Sequence, residues 1–242
     1  MKAVILAGGK GTRGRPYTEY FPKAMTPIKG RPLIDYLVKY LGASALIDEV
    51  IIIADFKGLG GQIKNYYEHH SRFKKITLVQ DSQSGTGGDL LHIKNLLKNE
   101  SHFLLWFVDN LCAINIKEML NFFKGKNSTV CIATRTKRKE ETGFAIVRDG
   151  IIKEFKEKPI IRLQMAECLG IYIIGKDIMK RIQAKSKQKD INLSFDILQD
   201  LSREGKVSAY DIGDREWIDV ESPVILDRNK KQVRKIIKQM AL

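Results

Sequence analysis

The chain has 242 residues, of which 43% are apolar, enough to bury one large core. Its formal charge of +14 raises the question of nucleic-acid binding, but the basic residues are spread along the whole chain and no common nucleic-acid motif occurs. No apolar stretch approaches the roughly 18 residues of a membrane span, and no secretory leader precedes the first apolar run. We therefore expect a cytoplasmic protein that binds neither nucleic acid nor membrane and keeps its three cysteines reduced. Whether it forms a homo-oligomer stays open.

Strand and helix patterns alternate through the first half of the chain. The apolar run 3–7 predicts a buried parallel strand. Further strands are predicted at 50–54, 76–79 and 102–108, and helices at 32–46, 62–67 and 90–97. This alternation predicts an α/β fold with a mixed, mostly parallel sheet and helices on both faces. Ligands of such sheets bind beyond the carboxyl ends of the strands.

The second half adds antiparallel features. The apolar runs 144–147 and 151–155 flank Asp149 and Gly150, a pair typical of a tight hairpin turn. Ser222 and Pro223 are expected to cap and begin the last helix. The remaining predicted elements are strands at 169–174, 207–212 and 217–220 and helices at 176–185 and 195–203. No linker composition interrupts the chain, so we expect a single domain over residues 1–242.

The segment from Gly8 to Lys23 is the most informative part of the sequence. It follows the first strand, and its three early glycines, Gly8, Gly9 and Gly11, allow a close approach of the backbone and positive φ angles. Arg13 and Lys23 add fixed positive charge to the same loop. Free backbone N–H groups and two cations at the end of a strand favour a bound phosphate group. The expected ligand is a nucleoside triphosphate.

Other phosphate-binding motifs fit this loop less well. Gly9, Gly11 and Gly14 satisfy the G-x-G-x-x-G fingerprint of dinucleotide-binding proteins, but that motif needs a helix immediately after the strand. Pro16 and Pro22 interrupt the backbone here instead. A Walker A loop needs Gly-Lys followed by Ser or Thr, which the chain lacks. A purely structural glycine turn stays open, but it leaves the two cations unexplained.

The loop resembles the signature of the sugar-1-phosphate nucleotidyltransferases, also called nucleotide-diphospho-sugar pyrophosphorylases. Their pattern is G-G-x-G-T-R-x-x-P-x-T-x-x-x-P-K, and its fixed positions correspond to Gly8, Gly9, Gly11, Thr12, Arg13, Pro16, Thr18, Pro22 and Lys23. Leucine is usual where this chain has Gly14 and Tyr17, and we expect its loss to loosen the loop without removing chemistry. The resemblance covers residues 2–237. It implies the Rossmann-like fold of this family in its short form, without a C-terminal β-helix.

The resemblance assigns nucleotide binding to residues 1–110 and sugar-phosphate binding to residues 111–242. It places the nucleotide against Leu6, Ala7, Gly8, Gly9, Gly11, Thr12, Gln80, Gly85 and Thr86. The amide of Gln80 offers one donor and one acceptor to the edge of uracil or thymine, which favours UTP or dTTP. Family members that use GTP carry glutamate there, so a GTP-dependent mannose- or heptose-1-phosphate guanylyltransferase is the alternative. Without the resemblance, residues 80–88 would be interpreted as a polar loop with a flexible turn.

Two aspartates follow predicted strands and suit Mg²⁺, which binds through a few carboxylate oxygens plus phosphate and water. Alone, Asp109 and Asp219 could equally be helix caps or turn residues. The resemblance makes them the two metal ligands. The chain departs from the family pattern at Val108, where glycine is common, and at Val220 and Glu221, where isoleucine and glycine are common. We expect the charge of Glu221 to disturb metal binding or the fit of the sugar.

For the sugar, the resemblance implies contacts from Asn110, Gly143, Glu157, Lys158 and Tyr172. Taken alone, the alternation of lysine and glutamate before Pro159 is typical of a solvated edge strand. Asparagine is common in the family at the position of Cys168 or Leu169, so the identity of the sugar stays open.

The mechanism that the resemblance implies needs no nucleophilic side chain, because an oxygen of the sugar phosphate attacks the α-phosphorus directly and expels pyrophosphate. Catalysis then depends on alignment and charge neutralisation. The catalytic residues would be Arg13 on the β- and γ-phosphates, Lys23 on the α-phosphoryl group and Lys158 on the attacking phosphate. A catalytically silent regulatory paralogue that binds a nucleotide sugar is the alternative from another functional class.

Overall fold

The computed structural model describes residues 1–9, 11–70 and 75–240, so Lys10 within the glycine loop lies outside the described residues. The strands are β1 (Lys2–Leu6), β2 (Pro27–Ile28), β3 (Arg31–Pro32), β4 (Glu49–Ala54), β5 (Ile76–Gln80), β6 (His102–Phe107), β7 (Asn110–Cys112), β8 (Val130–Lys139), β9 (Gly143–Arg148), β10 (Ile151–Glu157), β11 (Ile160–Gly175), β12 (Val207–Asp211) and β13 (Trp217–Asp219). The α-helices are α1 (Leu33–Ala43), α2 (Gly61–His70), α3 (Gly85–His92), α4 (Lys94–Leu97), α5 (Ile116–Lys124), α6 (Ile178–Ala184), α7 (Gln199–Arg203), α8 (Pro223–Arg228) and α9 (Lys230–Gln239). A π-helical segment, Leu193–Leu198, leads into α7.

A seven-stranded sheet with the order β12-β8-β11-β6-β1-β4-β5 forms the centre of the molecule. The strands β6, β1, β4 and β5 are mutually parallel, and β12 is parallel to β8, whereas β11 runs antiparallel to both of its neighbours. Successive residues of β1 alternate between the two faces, with Ile5 in one hydrophobic cluster and Val4 in the other. Helix α1 packs against the first cluster and α6 against the second. The mixed, mostly parallel sheet with helices on both faces is therefore confirmed.

The register of the sheet determines where the loops begin. Leu6 and Phe107 are paired at the carboxyl ends of β1 and β6. The glycine loop and Asp109 therefore leave the sheet side by side, as expected for a ligand site of a parallel sheet.

The glycine loop folds as an ordered but non-helical segment. After β1 it passes through three single 3₁₀ turns at Thr12–Gly14, Tyr17–Glu19 and Lys23–Met25, and the first α-helix begins only at Leu33. The dinucleotide fingerprint, which requires a helix directly after the strand, is thereby excluded.

The expectation that Gly14 loosens the loop is wrong. Gly14 is buried, and a Cβ atom there would lie 2.7 Å from the carbonyl oxygen of Glu221 and 2.7 Å from Cγ2 of Thr18. The space of a leucine side chain is already filled, because the chain around Glu221 packs directly on the loop. The loop is further closed by Thr18, whose hydroxyl donates to the carbonyl oxygen of Gly11 at 2.7 Å.

Several predicted boundaries need correction. Helix α3 begins at Gly85, so Gly85 and Thr86 form the first turn of a helix rather than a flexible loop. The last predicted helix is two helices, α8 and α9, and the side chain of Ser222 makes no capping hydrogen bond at the start of α8. β7, β8 and α5 were not predicted. Among the described helices, none combines the length and the apolarity that a membrane span requires.

The hairpin predicted around Asp149 and Gly150 is confirmed, with φ angles of 51° and 74° at these two residues. It continues β8 and β11 outward, since the N–H of Glu140 donates to the carbonyl oxygen of Pro159 at 2.9 Å. We call residues 140–160 the arm. All residues of β9 and β10 are exposed.

Candidate active site

A cleft of about 240 Å³ opens where the glycine loop leaves the sheet. It is lined by Leu6, Ala7, Gly8, Gly9, Gly11, Thr12, Arg13, Pro22, Lys23, Thr86, Phe107, Val108 and Asp109. Ten of these thirteen residues are predicted site residues, and Pro22, Phe107 and Val108 were not predicted to belong to the site. Phe107 and Val108 could have been found from their position at the end of an apolar strand, directly before Asp109.

The glycines of the loop are required for different reasons. A Cβ atom at Gly8 would lie 2.1 Å from Oδ2 of Asp81, so the side chain of Asp81 occupies that space. Gly9 has a φ of 117° with open space around it, and Gly11 has a φ of 58°. Positive φ favours glycine at both positions. Apart from its chain neighbours, none of the described residues comes within 4 Å of where a Cβ atom at Gly9 would lie, which leaves this side of its backbone accessible to a ligand.

Lys23 and Asp109 form the ion pair at the centre of the cleft. Nζ of Lys23 lies 3.0 Å from Oδ2 of Asp109, and the two side chains are only 14% and 21% exposed. The other carboxylate oxygen of Asp109 accepts a hydrogen bond from Nδ2 of Asn110 at 3.0 Å. The carboxylate is thus oriented from both sides before any ligand binds.

Asp219 is held next to Asp109 by backbone pairing. Asp219 pairs with Asn110 across β13 and β7, and the N–H of Val220 donates to the carbonyl oxygen of Asp109 at 2.7 Å. The pKa of Asp219 is raised to about 6: burial is the largest cause, and the negative charges of Asp109 and Glu221 add to it, against the opposing effects of Lys23 and Arg13.

The residues present fit a Mg²⁺ ion. Oδ1 of Asp219 is buried and has no hydrogen-bond partner in the structure, which is costly for a carboxylate oxygen unless a cation or donor reaches it. No group of three or more metal-ligating side chains occurs among the described residues. Magnesium does not need one, because it commonly takes one or two carboxylates and completes its shell with substrate phosphate and water.

Arg13 contacts an unexpected partner. Its Nη1 forms an ion pair with Oε1 of Glu221 and lies 3.9 Å from Oδ2 of Asp219. Glu221, where the chain departs from the family pattern, thus contacts an arginine of the loop that was predicted to bind phosphate. The only signal in the sequence was a charged residue where the family pattern has glycine.

Gln80 lies at the carboxyl end of β5 but does not line the cleft. Its Nε2 donates to Oδ1 of Asp55 at 2.9 Å and to the carbonyl oxygen of Asp81 at 3.4 Å. Asp55 was not predicted to take part in the site. Because both amide hydrogens have protein acceptors, the amide oxygen is the atom of Gln80 left to a ligand.

Gly85 and Thr86 are fixed against the start of the π-helix and the residues just before it. Oγ1 of Thr86 accepts a hydrogen bond from the N–H of Leu193 at 2.9 Å. A Cβ atom at Gly85 would lie 1.9 Å from Oδ1 of Asp190, so glycine is needed for this close packing. Of the two residues, only Thr86 lines the cleft.

The predicted sugar-binding residues fall into two groups. Asn110 and Tyr172 are buried near the cleft: Nε1 of Trp217 donates to Oδ1 of Asn110 at 3.1 Å, and the ring of Tyr172 lies 5.6 Å from that of Phe107. Burial raises the pKa of Tyr172 to about 12. Leu169, one of the two residues that could correspond to the asparagine expected from the resemblance, is fully buried.

Gly143, Glu157 and Lys158 lie on the arm instead. All three are exposed, and none belongs to the residues that line the cleft. Glu157 and Gly143 pair across β10 and β9, and Lys158 has a φ of 47° directly after β10. The structure therefore does not bring the predicted lysine of the sugar phosphate to the paired charges of Lys23 and Asp109.

Comparison with known proteins agrees with this site. The sequence matches the family described as nucleotidyl transferase over residues 2–232, and the chain belongs to this family. It is 28% identical over 231 residues to a mannose-1-phosphate guanyltransferase of Aspergillus oryzae, covering 92% of this chain and 61% of that protein. The chain thus spans less than two thirds of the fungal relative's length.

Two further similarities are to proteins whose names indicate a cytidine nucleotide instead of a guanosine nucleotide. A glucose-1-phosphate cytidylyltransferase of Salmonella typhimurium is 32% identical over 184 residues, which are 66% of this chain and 69% of that protein. The structure of the inositol-1-phosphate CTP transferase from T. maritima superposes with a TM-score of 0.69 at 19% identity, covering 99% of this chain and 95% of that one. This last likeness shows the common fold.

Proposed function

We propose that the protein transfers a nucleotidyl group from a nucleoside triphosphate to a hexose-1-phosphate and releases pyrophosphate. The observation that carries this proposal is the pair formed by Lys23 and Asp109 at the end of β6, 3.0 Å apart and directly beside the glycine loop. A largely buried lysine next to a carboxylate, under a loop with accessible backbone, suits a phosphate chain with a bound cation.

Each charged residue of the proposed site is assigned a different role in the reaction. Arg13 would bind the β- and γ-phosphates that leave as pyrophosphate, and Lys23 would neutralise the charge that develops on the α-phosphoryl group. Asp109 and Asp219 would hold Mg²⁺, which when bound supplies positive charge to the phosphates of both substrates. No side chain has to remove a proton from the attacking group, since a phosphate oxygen is already ionised. Lys158 would orient that phosphate once the arm reaches the substrate.

For the base, we propose UTP or dTTP. The support is Gln80, whose amide is fixed by Asp55 so that its oxygen is left as an acceptor for the N3–H of uracil or thymine. The alternative is GTP with mannose- or heptose-1-phosphate, which the similarity to a mannose-1-phosphate guanyltransferase favours.

The test is a pyrophosphate-release assay with Mg²⁺ over a grid of the five common nucleoside triphosphates and several sugar-1-phosphates. Turnover with one sugar-1-phosphate, lost in Lys23→Ala, supports the proposal, and the best nucleotide decides between the two base assignments. Silence over the grid, combined with calorimetric binding of a nucleotide sugar, would instead favour a catalytically silent regulatory paralogue. Silence without binding would contradict both.

A further inference from the structure

The ion pair between Arg13 and Glu221 lies where two departures from the family pattern meet, Gly14 next to Arg13 and Glu221 itself. Glu221 Oε1 contacts Nη1 of Arg13, and the carbonyl oxygen of the same residue packs on Gly14. A Cβ atom at Gly14 would lie only 2.7 Å from that oxygen. The glycine therefore permits the close approach that brings the carboxylate of Glu221 to the phosphate-binding loop.

The contact changes the charge that an incoming ligand meets. Without a ligand, the cations Arg13 and Lys23 face three carboxylates, those of Asp109, Asp219 and Glu221. Lys23 is paired with Asp109, and Arg13 is paired with Glu221. A triphosphate that binds to Arg13 has to separate Arg13 from Glu221. It also approaches the negative charge of Glu221.

Competition by Glu221 is compatible with binding because the pair is not deeply buried. The side chains of Arg13 and Glu221 are 66% and 33% exposed, so water can solvate both partners when they separate. Exposed ion pairs of this kind contribute little to stability. A polyanion offers several oxygens to the guanidinium. We therefore expect it to separate the pair at a small but measurable cost in binding free energy.

We propose that Glu221 sets the affinity of the cleft for the triphosphate and for pyrophosphate by competing with them for Arg13, an inference that rests on the function proposed above. Glu221 is in this sense a positioning residue, because it acts on the ligand through Arg13. It lowers ground-state binding of both the substrate and the leaving pyrophosphate. Removing its charge raises affinity more than it changes the chemical step.

The first experiment measures binding of inorganic pyrophosphate by calorimetry in the presence of EDTA, so that no metal is involved. Glu221→Gln is expected to bind pyrophosphate about fivefold more tightly than the wild type. Glu221→Gly, which removes the side chain, is expected to do at least as well. The matched control is Glu19→Gln, which removes a carboxylate from the same loop, one that pairs with Arg15 at 3.8 Å and not with Arg13.

A second arm separates competition for Arg13 from general repulsion. In an Arg13→Ala background, Glu221→Gln is expected to raise the affinity for pyrophosphate by less than about twofold, because the two residues then no longer compete. In turnover assays, Glu221→Gln is expected to lower KM for the nucleoside triphosphate several-fold while kcat changes less. A residue that only stabilises the fold would produce neither result.

The inference is overturned if Glu221→Gln binds pyrophosphate no more tightly than the wild type, if Glu19→Gln gains as much, or if the gain persists without Arg13. Each of these results leaves the proposed function intact when the wild type turns over sugar-1-phosphate. Absence of both pyrophosphate binding and turnover in all variants would overturn the inference and the proposed function together.

Discussion

The two ends of the proposed reaction site are built very differently. In the cleft, Lys23 and Asp109 are paired at 3.0 Å and are less than a quarter exposed, and hydrogen bonds from Lys23 and from Asn110, the next residue in the chain, orient the carboxylate. On the arm, Lys158 follows a strand that is exposed along its whole length, and apolar residues such as Phe155 and Ile160 are 61% and 71% exposed. A two-stranded ribbon without a core is only marginally stable in water. The nucleotide end is therefore preorganised, whereas the strands of the arm have no buried face of their own.

The largest expected effect lies at the preorganised end. Lys23→Ala should lower kcat about 10²-fold or more, on the order of 3 kcal/mol, because a fixed charge next to the α-phosphoryl group acts mainly on the transition state. Binding of the nucleotide should be largely kept. Steady-state kinetics with Lys64→Ala as the control test this, since Lys64 lies on the exposed face of α2 with Glu68 as its partner at 3.7 Å. An unchanged kcat in Lys23→Ala would contradict the whole assignment of the cleft.

The arm should respond through KM for the sugar alone. Lys158→Ala is expected to raise KM for the sugar-1-phosphate about tenfold, as the loss of one charge-assisted hydrogen bond would, while pyrophosphate binding and Tm stay unchanged. Lys156→Ala is the matched control, because Lys156 lies on β10, two residues before Lys158, and pairs with Glu154 at 2.7 Å. Equal effects of both variants would show that the arm contributes only general positive charge. If neither variant changes KM for the sugar-1-phosphate, the arm does not belong to the site.

A smaller change is expected for the base. Gln80→Glu places a carboxylate beside Asp55 and Asp81, and it replaces the amide with a group that only accepts hydrogen bonds when ionised. The preference for UTP or dTTP over other nucleotides should fall several-fold, while the choice of sugar stays the same. Competition assays with mixed nucleotides measure this, with the nearby exposed Gln83→Glu as the control. A preserved preference would remove Gln80 from base selection.

The smallest effect concerns the stability of the protein without metal. The pKa of Asp219 is about 6 in the folded chain, above its ordinary value of 3.8, so the unfolded chain binds fewer protons between these values and stability falls as pH rises through this range. Asp219→Asn should therefore raise Tm by a few degrees at pH 7.5 in EDTA and by much less at pH 4. Thermal unfolding with the exposed Asp214→Asn as the control tests the sign. If Tm rises equally at both pH values, the increase does not come from the raised pKa of Asp219.

The parts of the molecule that the sequence predicted are those governed by short-range patterns. The β-branched run of β4 and the prolines of the glycine loop fix local backbone geometry, so strand and loop could be assigned from neighbouring residues alone. Helix α3 was not found at Gly85 because Gly-Thr-Gly-Gly is a poor helix-forming sequence. Tertiary packing overrides this preference: the N–H of Gly87 donates to the carbonyl oxygen of Ile191 at 2.7 Å.

The residues that line the cleft were predicted better than the hydrogen bonds and ion pairs that their side chains form. The residues around the glycine loop follow from motif spacing, but the contacts of Asp55 with Gln80 and of Glu221 with Arg13 join distant parts of the chain. No local pattern specifies such pairs, because they depend on how the loops after different strands meet. The whole of β8 escaped prediction, its second half for a related reason. It leads into the arm, where no core face imposes an alternating apolar pattern.

The three cysteines make the base of the arm accessible to spectroscopy without any mutation. Cys112 and Cys131 are buried with raised pKa values, whereas Cys168 is exposed and lies opposite Thr134 where β11 leaves the sheet toward the arm. Partial burial and Glu167 also raise the pKa of the Cys168 thiol, so a maleimide dye at mildly alkaline pH is the suitable reagent. A dye coupled to this single position would test whether the base of the arm changes its surroundings when a ligand binds.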